Sequence, residues 1–189
     1  MIKRKELLKL HLGCWKRNIP GFTNVDLCDL PHIHYKKNVD DLSIFKNNSA
    51  SLIYASHVFE YFDGQEAKSV LKEWYRVLAS GGTLRIAVPD FAKLILIYKK
   101  YKNLDKILGP LYGKMEIDTQ KRKKVLYHKT VYDFESLKAI LESVGFKKIR
   151  RYDWRETIHK NYDDHSQAYI PHMDKEHGFL ISLNVEADK

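Results

Sequence analysis

The residues of this sequence that could do chemistry stand where short apolar runs end. Gly13 follows the run LLKLHL, Asp26 lies in TNVDL, and His57 and Glu60 follow SLIYAS. A glycine lets the backbone approach a ligand closely, and a carboxylate can accept hydrogen bonds from both hydroxyls of a ribose. A histidine with a carboxylate three residues away, on the same side of a helical turn, can act as a general base near neutral pH. These residue types predict a nucleoside-binding edge beside a proton-transfer pair.

The glycine loop differs from the fingerprint of dinucleotide-binding proteins. In the pattern G-x-G-x-x-G, Trp15 occupies the second glycine position and Asn18 the third, so an ordinary turn also explains Gly13. Asp26 follows Gly13 by 13 residues, whereas the acidic residue of the fingerprint lies about 20 residues further on. The helix that usually joins these two strands is therefore predicted to be replaced by the loop 16–22, which argues against an NAD-binding unit.

Each remaining polar candidate has a structural explanation beside the functional one. Asp40 and Asp41 follow a weakly β-like stretch and could accept a hydrogen bond from the amine of an adenine, or belong to a solvated turn. Asp26 could cap a turn. His57 and Glu60 could form a buried structural pair rather than a catalytic one.

Several histidines and carboxylates are of the types that bind metal ions. None has the spacing of a known zinc motif, so no metal site is predicted and surface histidines are the preferred interpretation. The residues concerned are His32, His34, Asp163, Asp164, His165, His172 and His177.

Short β-like runs alternate with helical runs, which indicates an α/β fold built on a mostly parallel sheet. The predicted strands are residues 7–12, 23–27, 51–56, 83–88, 148–153 and 179–185, with a weak one at 35–39. We expect a Rossmann-like sheet with helices on both faces, a shortened first crossover and an antiparallel C-terminal hairpin.

Two helices between these strands have clear start and stop signals. The first begins at Asp63, with Glu66 at the capping-box spacing, and is predicted to end at Gly81-Gly82. The second runs from about Asp133 to Val144, followed by Gly145. Because their apolar residues recur at the helical period, each is expected to pack one face on the sheet.

Composition describes an ordinary globular chain with a localised charge. The 189 residues are 44% apolar and 30% charged, with a net charge of +9. Residues 91–128, here called the basic segment, hold ten Lys or Arg against three Asp or Glu, a local charge of +7. The N-terminus lacks the continuous apolar core of a secretory signal, no run is long enough to span a membrane, and two cysteines cannot form a disulfide framework. We expect a cytoplasmic protein without a membrane partner.

The stretches SLIYASHVFEY and VLKEWYRVLASGGTLRIAVPD, with the late helix DFESLKAILESVGF, resemble the class I S-adenosylmethionine-dependent methyltransferases. The similarity is to the small bacterial methyltransferase-11-like group, and it covers nearly the whole chain except the basic segment. It implies S-adenosylmethionine as the cofactor and one methyltransferase-like domain over residues 1–189.

The resemblance also implies roles for individual residues. Gly13 and its neighbours would line the methionine part of the cofactor, Asp26 would bind the ribose, and Asp41, or else Asp40, would meet the adenine amine. The complete implied cofactor set is Leu12, Gly13, Cys14, Trp15, Asp26, Leu27, Asp40, Asp41, Leu42, Ser56 and His57.

The implied reaction is methyl transfer to an oxygen or nitrogen of a small acceptor, driven mainly by holding the reactants in near-attack geometry. His57 would be the base or an acceptor-orienting group, with Glu60 orienting it. The basic segment is predicted to form a helical lid, and its charge favours an acidic or phosphorylated acceptor. The alternative is a non-catalytic protein of the same fold that docks on nucleic acid through the basic segment, for which tyrosines among the basic residues would be needed.

Overall fold

A seven-stranded sheet forms the centre of the molecule, which a computed structural model describes over residues 7–120 and 122–189. Its strand order is β3-β2-β1-β4-β5-β11-β8. The first five strands are parallel, and β11 is antiparallel to both of its neighbours. The strands of the described residues are β1 Leu8–Leu12, β2 Thr23–Asp26, β3 Tyr35–Lys36, β4 Ala50–Ser56, β5 Leu78–Pro89, β6 Met115–Asp118, β7 Lys123–Leu126, β8 Lys147–Arg151, β9 Tyr169–Ile170, β10 Phe179–Leu180 and β11 Ser182–Asp188. The predicted α/β class, the mostly parallel sheet and the antiparallel C-terminal pair are confirmed.

Two α-helices pack on one face of this sheet. Helix α1 (Gly64–Val77) begins at a complete capping box. The Asp63 side chain accepts from the Glu66 backbone nitrogen, and the Glu66 side chain accepts from the Asp63 backbone nitrogen. Helix α4 (Phe134–Val144) is capped by Asp133 and ends at Gly145 in the left-handed region. Their buried side chains join those of the strands in the main core, centred on the fully buried Trp74. Both predicted helix starts are confirmed.

The opposite face of the sheet is covered without an α-helix between β1 and β2. That connection is a loop in which Ile19 and Phe22 pack on Tyr54 of β4. Further along the sheet, the short 3-10 helix at His165–Gln167 packs against β5 and β11. The expected shortened first crossover is thus present, and irregular chain covers much of this second face.

The glycine pair at Gly81-Gly82 does not end helix α1, contrary to the prediction. The helix ends at Val77 and the chain enters β5 directly at Leu78. The register of β5 on β4 shifts between Ala50 and Leu52, so the pair lies within a bulged strand. Gly81 has a φ of +74°, which is the left-handed conformation that glycine adopts without strain.

The basic segment was predicted to be helical. It contains two helices followed by a β-hairpin, so the prediction is correct only for its first part. Helix α2 (Phe91–Tyr101) packs on α3 (Asp105–Tyr112), and β6 pairs with β7. The hairpin reaches across the carboxyl edge of the sheet, because Thr119 forms a bridge with Cys28, just after β2. None of the helices in the described part of the chain has the length and apolar character needed to span a bilayer.

Candidate active site

The carboxyl ends of β1, β2 and β4 bring the main sequence candidates to one edge of the sheet. Because these parallel strands are neighbours, the residues that follow them lie side by side. Gly13 follows β1, Asp26 ends β2, and Ser56 and His57 end and follow β4. The grouping predicted from the sequence therefore exists in the fold.

Gly13 is required by both its conformation and its surroundings. Its φ is +64°, and a Cβ there would lie 2.2 Å from Cγ2 of Val58. Trp15 also has a positive φ, +43°, although it is not a glycine. The loop thus keeps a left-handed backbone at the position where the fingerprint has its second glycine, and there a tryptophan adopts it with strain.

Asp26 is a buried carboxylate held by the backbone on both sides. One oxygen accepts a hydrogen bond from the Trp15 nitrogen at 2.7 Å, and the other accepts from the Cys28 nitrogen at 2.8 Å. Because a carboxylate oxygen can accept more than one hydrogen bond, Asp26 could also accept from a ribose hydroxyl. The thiols of Cys14 and Cys28 are free and buried. Burial raises the pKa of Cys28 to about 12, so it stays a neutral thiol.

The three candidates that follow β3 occupy different environments. Leu42 is fully buried in the main core, as is Leu12 of β1, so their side chains support the edge from below. Asp41 is exposed, and its hydrogen bond from the Lys37 ammonium at 2.6 Å helps to lower its pKa to about 2. Asp40 lines a cavity of about 430 Å³ beside the start of α1.

His57 and Glu60 are brought together as expected, with His57 Nδ1 3.4 Å from Glu60 Oε1. His57 has a φ of +53°, and its side chain is 12% exposed. Glu60 is fully buried in the 3-10 turn Phe59–Tyr61. Burial raises the pKa of Glu60 to about 8 and lowers that of His57 well below its usual value. Near neutral pH, the pair consists of two neutral groups.

His128, at the end of the basic segment, belongs to the same cluster and was not predicted. Its Nε2 lies 3.6 Å from Glu60 Oε1, while its Nδ1 contacts the Pro110 oxygen at 3.0 Å. No local pattern joins residues so far apart in sequence. The only available signal was that the basic segment must return to the sheet near this position.

A second cavity, of about 340 Å³, lies between the ends of β5 and β11. Its lining combines two cations, Lys93 and Arg151, with the buried Asp90. Asp90 is 3.5 Å from the Arg151 guanidinium. Ser182 lines the same cavity, and its hydroxyl lies 3.2 Å from His57 Nε2. The cavity is therefore connected to the His57 cluster through one hydroxyl.

A buried polar network supports this edge from the second face of the sheet. Asp164 accepts hydrogen bonds from Tyr54 and, at 3.4 Å, from Ser56. The ring of Tyr54 is stacked between those of His11 and His159, with centroids 5.1 and 4.0 Å away. The sequence indicated Asp164 only as a residue of a type that can bind metal ions. Its role here is to tie the C-terminal part of the chain to the strand that carries the site.

The other histidines considered as metal ligands are spread over the surface or bonded to backbone. His32 contacts the Trp15 oxygen and His34 accepts from the Asn24 nitrogen. His172 and His177 are exposed. Within residues 7–120 and 122–189, no group of three or more potential ligands has a geometry suited to a metal ion.

Comparison with known proteins agrees with this arrangement. Residues 22–86 match the family described as a methyltransferase domain. No curated protein sequence matches the chain significantly.

Solved structures share the fold over nearly the whole chain. A methyltransferase dependent on S-adenosylmethionine from Archaeoglobus fulgidus has a TM-score of 0.57 at 16% identity, covering 97% of this chain and 86% of its own. One from Mesorhizobium loti has a TM-score of 0.53 at 14% identity, with coverages of 97% and 91%. One from Methanosarcina mazei has a TM-score of 0.52 at 16% identity, with coverages of 95% and 91%.

These likenesses establish the fold, and residues 22–86 match the methyltransferase-domain family within it. Both findings agree with the resemblance of the sequence to the class I S-adenosylmethionine-dependent methyltransferases.

Proposed function

We propose that the protein transfers a methyl group to an oxygen or nitrogen of a small anionic acceptor, which binds in the cavity between β5 and β11. The observation that carries this proposal is the cavity lining, where Lys93 and Arg151 stand beside Ser182. Two cations against one carboxylate, Asp90, leave a net positive charge that favours an acidic or phosphorylated molecule. The hydroxyl of Ser182 connects that molecule to His57.

The residues present fit the cofactor. The backbone at Gly13 has no room for a Cβ, and the oriented carboxylate of Asp26 lies one strand away. In this proposal Asp26 accepts from the ribose hydroxyls, Leu27 packs on the adenine, and the Gly13–Trp15 loop with Ser56 and His57 lines the methionine part. Asp40 and Asp41 are both exposed, and Asp40 also lines a cavity, so either carboxylate could meet the adenine amine. When bound, the cofactor supplies a methyl group on a sulfonium with a good leaving group.

Because the cofactor supplies the reactive methyl group, the protein residues mainly have to orient the acceptor and exclude water. His57 is neutral near neutral pH, because burial lowers its pKa, and a strongly lowered pKa makes its ring a poor proton acceptor. Its contact with Ser182 instead suits it to orient the acceptor. The basic segment would act as a lid that excludes water, since its hairpin crosses the edge at Cys28.

Calorimetry with S-adenosylmethionine and S-adenosylhomocysteine tests the cofactor site. The wild-type protein should bind both, and Asp26→Ala should bind about 100-fold more weakly, since two hydrogen bonds to a charged group are lost. Asp153→Ala is the matched control, because that carboxylate is exposed and remote from the loop. Absence of binding by the wild-type protein would refute the cofactor assignment.

Transfer of labelled methyl groups to a panel of small acids, phosphates and neutral analogues tests the acceptor. We expect labelling among the anionic compounds alone. Arg151→Gln should raise KM for such a compound with little change in kcat, because the guanidinium binds ground and transition state alike. His57→Ala should lower kcat, because Ser182 then loses the ring that orients it toward the acceptor. Equal labelling of neutral and anionic compounds would contradict the anionic preference.

A second candidate function is favoured by one surface feature. Tyr112 and Tyr127 are 62% and 52% exposed, close in sequence to the cations Arg122 and Lys123 of the hairpin. Exposed aromatic rings among cations are what single-stranded nucleic acid requires. Binding of RNA with a steep salt dependence, together with absence of cofactor binding, would favour this function over methyl transfer.

A further inference from the structure

The carboxyl group of Glu60 is buried without an ordinary partner. It is 0% exposed, and neither of its oxygens has a hydrogen-bond partner among the described residues. The nearest polar atoms are imidazole nitrogens, His57 Nδ1 at 3.4 Å and His128 Nε2 at 3.6 Å. A buried carboxylate in this position would be strongly unfavourable unless something compensated its charge.

The proton on His57 is located by its other neighbours. Asn184 Nδ2 donates to the Ser166 oxygen at 2.9 Å, so Asn184 Oδ1 faces Ser182 and accepts its hydroxyl proton at 2.9 Å. The Ser182 oxygen is then left as the acceptor toward His57 Nε2 at 3.2 Å. Nε2 therefore carries the hydrogen, and Nδ1 presents a lone pair to Glu60.

The same reasoning applies to His128. Its Nδ1 lies 3.0 Å from the Pro110 carbonyl, which can only accept, so Nδ1 carries the hydrogen. Its Nε2 presents a second lone pair to Glu60. A carboxylate facing two lone pairs would be repelled by both, whereas a protonated carboxyl can donate to either.

The other titratable groups around Glu60 agree with a neutral cluster. Tyr61 and Tyr132 lie close enough for Glu60 to affect their phenols, and burial is the main cause that raises the pKa of both, so they are uncharged. His165 lies near His57, with ring centroids 5.2 Å apart, and burial lowers its pKa as well. No cation near Glu60 among these groups would hold the carboxyl in its charged form.

The cluster lies where the basic segment meets the turn after β4. The backbone nitrogen of Lys129 donates to the backbone carbonyl of Glu60 at 2.8 Å. The Tyr61 hydroxyl donates to the Gly113 oxygen at 3.0 Å, and its ring packs edge-on against His128 at 4.8 Å. A Cβ on Gly113 would lie 1.9 Å from His128 Nε2. The ring of His128 thus fills a place formed by both parts of the chain.

We propose that His128 is a positioning residue which, by sharing the single proton of Glu60 with His57, fixes the ring of His57 and fastens the basic segment over the site. The inference deepens the proposed function, since it concerns the group assigned to the acceptor. It gives the segment a specific attachment point and does not depend on the identity of the acceptor.

Nuclear magnetic resonance of the wild-type protein, labelled at histidine and glutamate, tests the shared proton directly. We expect hydrogen on Nε2 alone for His57 and on Nδ1 alone for His128 near neutral pH. The carbon chemical shift of the Glu60 carboxyl should have the value of a protonated acid and reach that of a carboxylate only above pH 8. The signal is assigned by its absence in Glu60→Gln. Glu66 is the internal control, because it is exposed and paired with Lys129, which lowers its pKa. A carboxylate shift for Glu60 at pH 6 would overturn the proposal.

Trypsin digestion of the full chain tests the fastening, because exposed Lys114, Lys123 and Lys124 provide cleavage sites in the basic segment. His128→Phe should be cut there about tenfold faster than wild type, as expected for a locally opened segment. The control His172→Phe, at an exposed position, should be cut at the wild-type rate.

Glu60→Gln separates positioning from general structural support. The glutamine amide can donate to one of the two histidine lone pairs and cannot ionise. Trypsin cleavage of this variant should therefore stay slow above pH 8, whereas cleavage of the wild type should accelerate there because Glu60 loses its proton. Equal rates for His128→Phe and the control, or the same rise with pH in Glu60→Gln, would overturn the fastening role. Neither experiment requires methyl transfer, so their failure is distinguishable from failure of the proposed function.

Discussion

Replacing Gly13 by alanine tests whether the loop after β1 is shaped by contact as well as by backbone conformation. The added Cβ would lie 2.2 Å from Val58 Cγ2, and 3.2 and 3.3 Å from Val58 Cγ1 and Cβ. Rotating the valine therefore cannot remove the overlap completely. The residue also has a φ of +64°, which an alanine adopts with strain.

The two contributions can be separated by a matched glycine. Gly81 has a similar φ, +74°, with no atom within 4 Å of its virtual Cβ. Gly81→Ala should cost about 1 kcal/mol of unfolding free energy from backbone strain alone. Gly13→Ala should cost about 2–4 kcal/mol, since overpacking adds about 1–3 kcal/mol. That is a large share of the roughly 5–15 kcal/mol that stabilises a typical domain.

Urea denaturation measures the contact itself in a double-mutant cycle of Gly13→Ala and Val58→Ala, with a second cycle of Gly81→Ala and Val58→Ala as the control. Val58→Ala should restore about 1–2 kcal/mol in the Gly13→Ala background, as a direct contact predicts, while its effect in the Gly81→Ala background should equal its effect in wild type. If Gly13→Ala and Gly81→Ala lost equal stability and the cycle showed no coupling, the packing explanation for Gly13 would be wrong.

Three further changes have expected outcomes that follow from single features. Trp15→Gly should stabilise the chain by up to about 1 kcal/mol in urea denaturation, because φ +43° is strained for tryptophan; a loss of stability would show that indole packing dominates. Trp74→Phe should cost about 3 kcal/mol in the same assay, since it leaves a small void and an unsatisfied Val39 carbonyl, now bonded at 2.8 Å; a cost below 1 kcal/mol would contradict this. Burial lowers the pKa of His159 to about 4, so the unfolded chain binds more protons and stability should fall as pH decreases from about 6.5 to 4. His159→Phe should reduce that slope between pH 7 and pH 5, and an unchanged slope would exclude His159 as its source.

Local signals predicted the elements that depend on local energetics. The capping box at Asp63 and the left-handed glycine after α4 each fix a helix end through hydrogen bonds a few residues apart. Gly81-Gly82 has the residue type of a helix stop, so the sequence wrongly predicted that α1 ends there. Pairing with β4 decided its conformation, and that pairing joins residues far apart in sequence.

The candidate site was predictable to the same extent. Gly13, Asp26 and His57 were found because parallel strands place their successors at one edge. His128 was missed because only the path of the basic segment brings it to Glu60. The proposed protonation of the cluster could not be predicted from the sequence either, since it depends on full burial of Glu60 and on the acceptor oxygens of Ser182 and Pro110.

The position of the cations changes what the net charge of the chain means for its substrate. Among the described cations of the basic segment, which carries a charge of +7, only Lys93 lines the cavity between β5 and β11. The second cation, Arg151, comes from β8. Exposed charges interact over about 8–10 Å at physiological ionic strength, so the remaining cations of the segment can attract an anion but cannot hold it in one orientation. Orientation must come from the cavity, where Asp90 fixes the guanidinium and Ser182 connects to His57. Under the proposed function, the charge excess therefore affects how fast an anionic acceptor arrives. The pair Lys93 and Arg151 then determines which acceptor is held in line for methyl transfer.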